Sequence, residues 1–295
     1  MIIALTGASG STGMELKPFL LKLNHTVIEI SSSAHTNGVD VFSYDDLLKT
    51  SKKMSIDLVI HLASLNSNLK KNEIDKEVNI TKNVLSIMKF NNCSRVIFFS
   101  SAKVYGDNSF EHKIFSESDS LNPTCSYGIA KRECEKLIIS QAENHLINYY
   151  IFRLPPLISS NSNSNLNKLI FLGIKSNLLP TFSAGDFNKR SFISITNIKR
   201  IMTIILEDIN VLKKNQIFNL ADNNFTSLNE LLNFANSTSF VRLPNSLFNM
   251  ISKIPLFRGQ MLKLYGNFML DNSKIKETIN VNLSSTNESL PNIFK

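Results

Sequence analysis

The sequence predicts an α/β fold: a doubly wound parallel sheet, with a smaller and discontinuous α/β domain after it. Three observations carry that expectation. Short apolar runs such as "DLVIHL" (57–62) and "RVIFF" (95–99) lack polar alternation, the mark of strands covered on both faces. Helix-like stretches separate those runs, as βαβ units require. A glycine-spaced turn, "LTGASGSTG" at 5–13, follows the first run at once.

Taken in order, "IIAL" at 2–5 is the first strand, and Gly7, Gly10 and Gly13 shape the turn behind it. A helix over 12–23 leads to a strand "TVIEI" at 26–30, and a helix over 44–54 leads to the strand at 57–62. A helix over 76–91 precedes the strand at 95–99, and a helix over 126–145 precedes "YYIFRL" at 149–154. The first domain is therefore expected over 1–155 and the second over 156–295. Segments at 192–195 and 217–220 have strand character and are expected to return to the sheet, which makes the second domain discontinuous. The serine- and asparagine-rich "SSNSNSNLN" at 159–167 is expected to be a mobile loop.

Composition narrows the function classes. With 295 residues, 43% hydrophobic and 19% charged, the chain can bury a sizeable core. The net charge of +8 would suit nucleic acid, but the lysines are scattered beside acids and lack interleaved aromatic residues. No nucleic-acid partner is expected; a positive bias also attracts phosphate-bearing substrates. No run approaches the roughly 20 apolar residues of a membrane span, and the first strand begins too early for a cleavable signal, so a cytoplasmic protein is expected. The stretch 243–270, apolar and basic, reads either as a helix packed on the core or as a membrane-surface segment. Cys93, Cys125 and Cys134 show no paired spacing; they are expected to be reduced structural thiols, with no metal site.

Two constellations carry chemistry. A glycine turn between a strand and a helix lets a pyrophosphate approach the backbone, where unpaired N–H groups and a partial positive charge await it. Ser9, Ser11 and Thr12 add hydroxyl donors, although a tight turn with no ligand reads the same residues. The second constellation joins "FFSSAKVYG" (98–106) to "PTCSYGIAK" (123–131). Tyr127 and Lys131 stand one helical turn apart on one face. An ammonium beside a phenol favours the phenolate, so Tyr127 can exchange a proton with a substrate hydroxyl or ketone, while a serine hydroxyl holds the same oxygen. Singly, these residues read as a helix tyrosine, a solvated lysine and a strand cap.

These blocks together resemble the extended short-chain dehydrogenase/reductases of the NAD-dependent epimerase/dehydratase family that act on nucleotide sugars. The resemblance rests on "TGASGSTG", "HLAS" (61–64), "VNITKNVL" (78–85), "SSAKVYG" and "YGIAK", with fainter echoes in "RLPP" (153–156), "KRSFISITNI" (189–198) and "LYGNFMLDNSKIKETI" (264–279). It implies a Rossmann domain that binds the dinucleotide, a substrate domain, and Ser101, Tyr127 and Lys131 as catalytic residues. Cofactor contacts are implied for Gly7, Ser9, Gly10, Ser11, Thr12, Gly13, Ser31, Asp40, Val41, Leu62, Ala63, Ser100, Leu154 and the Tyr127–Lys131 pair. Ser101, Lys103, Tyr127 and Arg190 are implied for the substrate, a nucleoside-diphosphate sugar.

Departures from the family pattern refine this. Ser31 stands where an acid usually holds the NAD ribose, with no Lys or Arg from 31 to 43 to bind an NADP phosphate; NAD or NADP is expected, NAD being favoured. Ala102 and Lys103 replace the acid pair of dehydratases, which leaves C4 epimerisation or 4-keto reduction; the block "LPTFSAGDFNKRSFISITNI" at 179–198 resembles enzymes of bacterial surface polysaccharide synthesis and implies that setting. The resemblance also implies a possible homodimer through the tyrosine helix. The contrasting reading is a non-catalytic dinucleotide sensor or scaffold, which would not need Tyr127 or Lys131.

Overall fold

The computed structural model describes residues 1–31, 41–42, 53–65, 68–144, 147–160, 181–182, 188–227, 230–231, 242–243 and 245–293. Its centre is a seven-stranded sheet built from β1 (Ile2–Thr6), β2 (Thr26–Ile30), β3 (Val41–Phe42), β4 (Leu58–His61), β5 (Arg95–Ser101), β7 (Asn148–Leu154) and β11 (Gln216–Asn219). The spatial order is β11-β7-β5-β4-β1-β2-β3, and every pairing is parallel. Strand order reverses beside β1, so the carboxyl ends of β1 and β4 flank the crevice where such sheets bind ligands.

Strict alternation along the strands explains the apolar runs. Ile3, Leu5, Leu58, Ile60, Ile97, Phe99, Tyr150 and Phe152 face one way, against Leu16 and Leu20 of α1 (Ser11–Lys22) and the isoleucines of α4 (Ile195–Glu207). Ala4, Val59, Val96, Phe98 and Ile151 face the other way, against α2 (Ile74–Phe90) and α3 (Ser126–Glu143). Both faces are buried, so neither requires polar residues.

The remaining described strands form two-stranded pairs: β6 (Ile114–Phe115) with β13 (Met269–Leu270), β8 (Leu157–Ile158) with β10 (Ile193–Ser194), and β9 (Thr181–Phe182) with β12 (Arg242–Leu243). Of the two segments expected to rejoin the main sheet, β11 does so beside β7. The segment at 192–195 does not; β10 pairs with β8, because Ile193 takes the Pro156 carbonyl just past the end of β7. Helices α5 (Asn245–Lys253), α6 (Pro255–Tyr265), α7 (Ser273–Ile279) and α8 (Thr286–Ile293) are the remaining described α-helices, and short 3-10 turns lie at Lys71–Glu73, Ala102–Val104 and Ile209–Val211. Most of the helix expected over 44–54 and most of the loop at 159–167 lie outside the described residues. All three cysteines are free thiols. No described helix is long and apolar enough to cross a membrane, and no acid, histidine and cysteine cluster that would hold a metal occurs among the described residues.

Candidate active site

The three glycines of the turn have different reasons to be glycine. Gly7 has φ +71°, and a Cβ on it would lie 2.7 Å from the Ala63 nitrogen, so the end of β1 touches the end of β4 backbone to backbone. A Cβ on Gly13 would overlap the Gly7 carbonyl oxygen, so it closes helix against turn. Gly10 has only the Gly7 oxygen within 4 Å, at 3.2 Å. It is the N-cap of α1, which has no side-chain cap and no acid in its first turn. The first-turn N–H groups and the positive helix end therefore face the space that Gly10 leaves open. That cradle fits the pyrophosphate of a dinucleotide. Ser9 is exposed and Ser11 and Thr12 half-buried at its rim.

A buried hydroxyl–imidazole chain holds the crevice in shape. Thr6 Oγ1 accepts from the Leu62 nitrogen (3.1 Å) and the Ala63 nitrogen (3.0 Å). It also meets His61 Nδ1 at 2.8 Å, and His61 Nε2 meets Thr81 Oγ1 at 3.1 Å. Burial, reinforced by the nearby Lys131 charge, pushes the His61 imidazole down to about 3. A neutral ring is what two hydroxyl partners can satisfy.

Ser101 ends β5 beside Leu154 of β7 in the sheet register, and its Oγ accepts from the Lys103 nitrogen at 3.2 Å. Tyr127 lies in the first turn of α3. The next residue decides how near that turn comes: a Cβ on Gly128 would overlap the Lys103 carbonyl oxygen. Glycine there seats the tyrosine turn on the chain just after Ser101. One turn on, Lys131 Nζ sits 5.6 Å from the Tyr127 ring centre and 5.0 Å from that of Phe98. Its ion partner is Glu77 of α2, Oε1 3.1 Å away, with side chains only 2% and 1% exposed. Glu77 also accepts from Ser64 Oγ and the Leu65 nitrogen, each at 2.7 Å. One carboxylate thus ties the lysine to the loop after β4. Burial alone would draw the Lys131 ammonium down; Tyr127 and Glu77 outweigh it, so the group is held above its ordinary range.

Other expected site residues fall less simply. Ser31 directly follows β2 at the carboxyl edge and is half-buried. Val41 begins β3, while Asp40 lies outside the described residues. Ser100 is turned into the core: its Oγ donates to Glu135 at 2.5 Å, because adjacent strand residues face opposite sides. Lys103 pairs with Asp107 at 3.0 Å and lies 5.7 Å from the Phe268 ring centre. Arg190 commits Nε to the Gly266 carbonyl (2.8 Å) and Nη2 to those of Leu262 (3.2 Å) and Lys263 (2.7 Å). Its guanidinium thereby caps the carboxyl end of α6, and burial lowers it to about 10.

Sequence reasoning missed Glu77, Gly128 and a second buried pair. Glu135, on the same helix as Lys131, takes Arg153 through Nη2 at 2.8 Å and Nε at 3.1 Å. Arg153 Nη1 donates to the Tyr105 hydroxyl (2.9 Å), which donates to Asn219 Oδ1 (2.8 Å). This chain braces the strand ends beneath Ser101. Glu77, immediately before the "VNITKNVL" block (78–85), and the glycine in "YGIAK" were the available signals.

Residues 3–221 match the NAD dependent epimerase/dehydratase family. The chain is 25% identical over 296 aligned positions to a UDP-glucose 4-epimerase of Vibrio cholerae, covering 94% of this chain and 89% of that one. It superposes on the UDP-N-acetylglucosamine 4-epimerase of Bacillus cereus with a TM-score of 0.76 at 19% identity, over 99% of this chain and 98% of that one. For the UDP-glucuronic acid 4-epimerase of Bacillus cereus in complex with NAD the values are 0.70 and 21%, over 98% and 95%. At such identities the two solved structures speak for the fold alone. The family match covers most of the chain, from the glycine turn through the tyrosine helix to the end of the parallel sheet, and the protein belongs to the NAD dependent epimerase/dehydratase family.

Proposed function

We propose that the protein is an NAD-dependent enzyme that inverts C4 of a nucleoside-diphosphate sugar. The observation that carries this reading is the tyrosine turn seated by Gly128 beside Ser101, with Lys131 held charged below it by Glu77. Bound NAD would supply the hydride acceptor and donor. The glycine turn and the bare N-terminus of α1 would take its pyrophosphate, and Lys131 would meet the nicotinamide ribose. Tyr127 removes the proton of the C4 hydroxyl as the ketone forms and returns it when the alcohol is restored, while the Ser101 hydroxyl orients that oxygen. The sugar nucleotide lies between the carboxyl edge of the sheet and the later part of the chain. Ala102 and Lys103, with Lys103 tied to Asp107, provide no acid pair for eliminating water from the sugar.

The test gives the purified protein UDP-hexoses and UDP-N-acetyl-hexoses deuterated at C4, with NAD in trace amount, and follows products by NMR. C4-inverted sugar that retains deuterium supports the proposal. Turnover of 4-keto sugars only, with NADH or NADPH consumed in equal amount, would assign a 4-keto-sugar reductase instead. No turnover of either class would leave a dinucleotide-binding protein without catalysis.

A further inference from the structure

Residues 231–270 contain no Asp or Glu, yet carry Arg242, Lys253, Arg258 and Lys263. Within this stretch α5 and α6 pack on each other and meet at a corner at Ile254 and Pro255. The far end of the pair is fixed: Met261 and Tyr265 are buried, and the Arg190 guanidinium caps α6. The near end is exposed among the described residues. Leu256 is 79% exposed, Met250 59%, Phe257 43% and Ile254 38%, with exposed Lys253 and Arg258 flanking them. Exposed large apolar side chains are ordinary when scattered. These four lie within eight residues of one another on one corner, and the cations beside them have no acid in the same stretch.

We propose that this corner is a docking surface for an anionic lipid bilayer, with Leu256, Phe257, Met250 and Ile254 entering the headgroup boundary and Lys253 and Arg258 meeting the lipid charges. Charge decides between occupants. A second copy of the same face across a two-fold axis would set Lys253 and Arg258 against their own like charges. A bilayer with acidic headgroups satisfies both features at once, apolar side chains inward and cations at the surface. The chain needs no spanning helix for this; it would lie on the membrane and leave the crevice at β1 and β4 free.

Full-length protein is sedimented with large vesicles of phosphatidylglycerol and phosphatidylcholine, and with phosphatidylcholine alone, at low and high salt. Expected is binding to the anionic vesicles that weakens at least about tenfold on the neutral ones and falls with added salt. The double variant Leu256→Glu, Phe257→Glu should lose at least about tenfold in vesicle affinity, with circular dichroism and NAD affinity unchanged because both side chains are solvent-facing. Lys253→Glu with Arg258→Glu should remove the preference for anionic lipid. Absence of vesicle binding by the parent, or equal binding by the apolar variant, overturns the proposal. So does a parent dimer in light scattering that the apolar variant dissociates, which would assign the face to a second copy.

Discussion

Replacing Glu77 by Gln leaves the Lys131 ammonium without its carboxylate in a site where both side chains are almost fully enclosed. The amide keeps one acceptor oxygen for Ser64 or Leu65, but not for both, and it brings a donor toward the lysine. Removing one partner of a buried ion pair costs about 3–5 kcal/mol, and the lower value is expected because Lys131 can shed its proton. With an unfolding entropy of about 2.1 cal/mol/K per residue, a loss of ~3 kcal/mol corresponds to roughly 5 °C in Tm for a chain of this length. Lys131 is held above its ordinary pKa, with Tyr127 and Glu77 overcoming burial. Its contribution is therefore complete below the unfolded lysine value and fades only as pH rises through the higher folded one, so measurements at pH 7.5 read it in full. Urea and thermal unfolding of the parent, Glu77→Gln, Lys131→Met and the Glu77→Leu, Lys131→Met pair form the assay. The paired variant should recover most of the loss, since two apolar side chains leave no uncompensated charge. If Glu77→Gln lies within about 0.5 kcal/mol of the parent, the range of an ordinary surface change, the buried pair does not hold the lysine and the reasoning fails.

Tyr127→Phe should keep NAD affinity within a few-fold while turnover falls by about two to four orders of magnitude, the worth of a positioned proton-transfer group; near-normal turnover would remove Tyr127 from the chemistry. Gly10→Val should preserve the fold, since only the Gly7 oxygen at 3.2 Å must yield, yet fill the space left for the pyrophosphate, and calorimetric titration with NAD would show unchanged affinity if the turn binds nothing. His61 is held neutral by burial with a value near 3, so the unfolded chain binds the extra proton below about pH 6.5. Its stabilising contribution is complete above that pH and declines at up to about 1.4 kcal/mol per pH unit toward pH 3. Urea midpoints at pH 7, 5.5 and 4.5 should therefore fall more steeply for the parent than for His61→Asn, and parallel curves would show that the imidazole does not titrate as placed.

Local patterns determined the sheet and the outline of the site. Continuous apolar strands, a turn with glycine at 7, 10 and 13, and a tyrosine one helical turn before a lysine all encode their structure within a few residues, because backbone period and steric demand are local properties. β1, β2, β4, β5 and β7 accordingly stand where those runs predicted them. Contacts between distant segments were legible only in three dimensions. Nothing near Lys131 in the chain announces that Glu77 lies beneath it, since an ion pair across two helices depends on how α2 and α3 lie over the same sheet face. The neighbours Ser100 and Ser101 are chemically alike in the sequence; strand pleating sends one hydroxyl to Glu135 and leaves the other at the sheet edge. The family resemblance gives Arg190 to the substrate side, and only the tertiary structure shows its Nε and Nη2 on the carbonyls at the end of α6. The stretch 243–270 could be core or surface by composition, and packing made it both: Met261, Tyr265 and Phe268 are covered while Leu256 and Phe257 are not. Hydrophobicity sets a preference for burial in every apolar segment, but the area available beneath a finite sheet decides which of them obtains it.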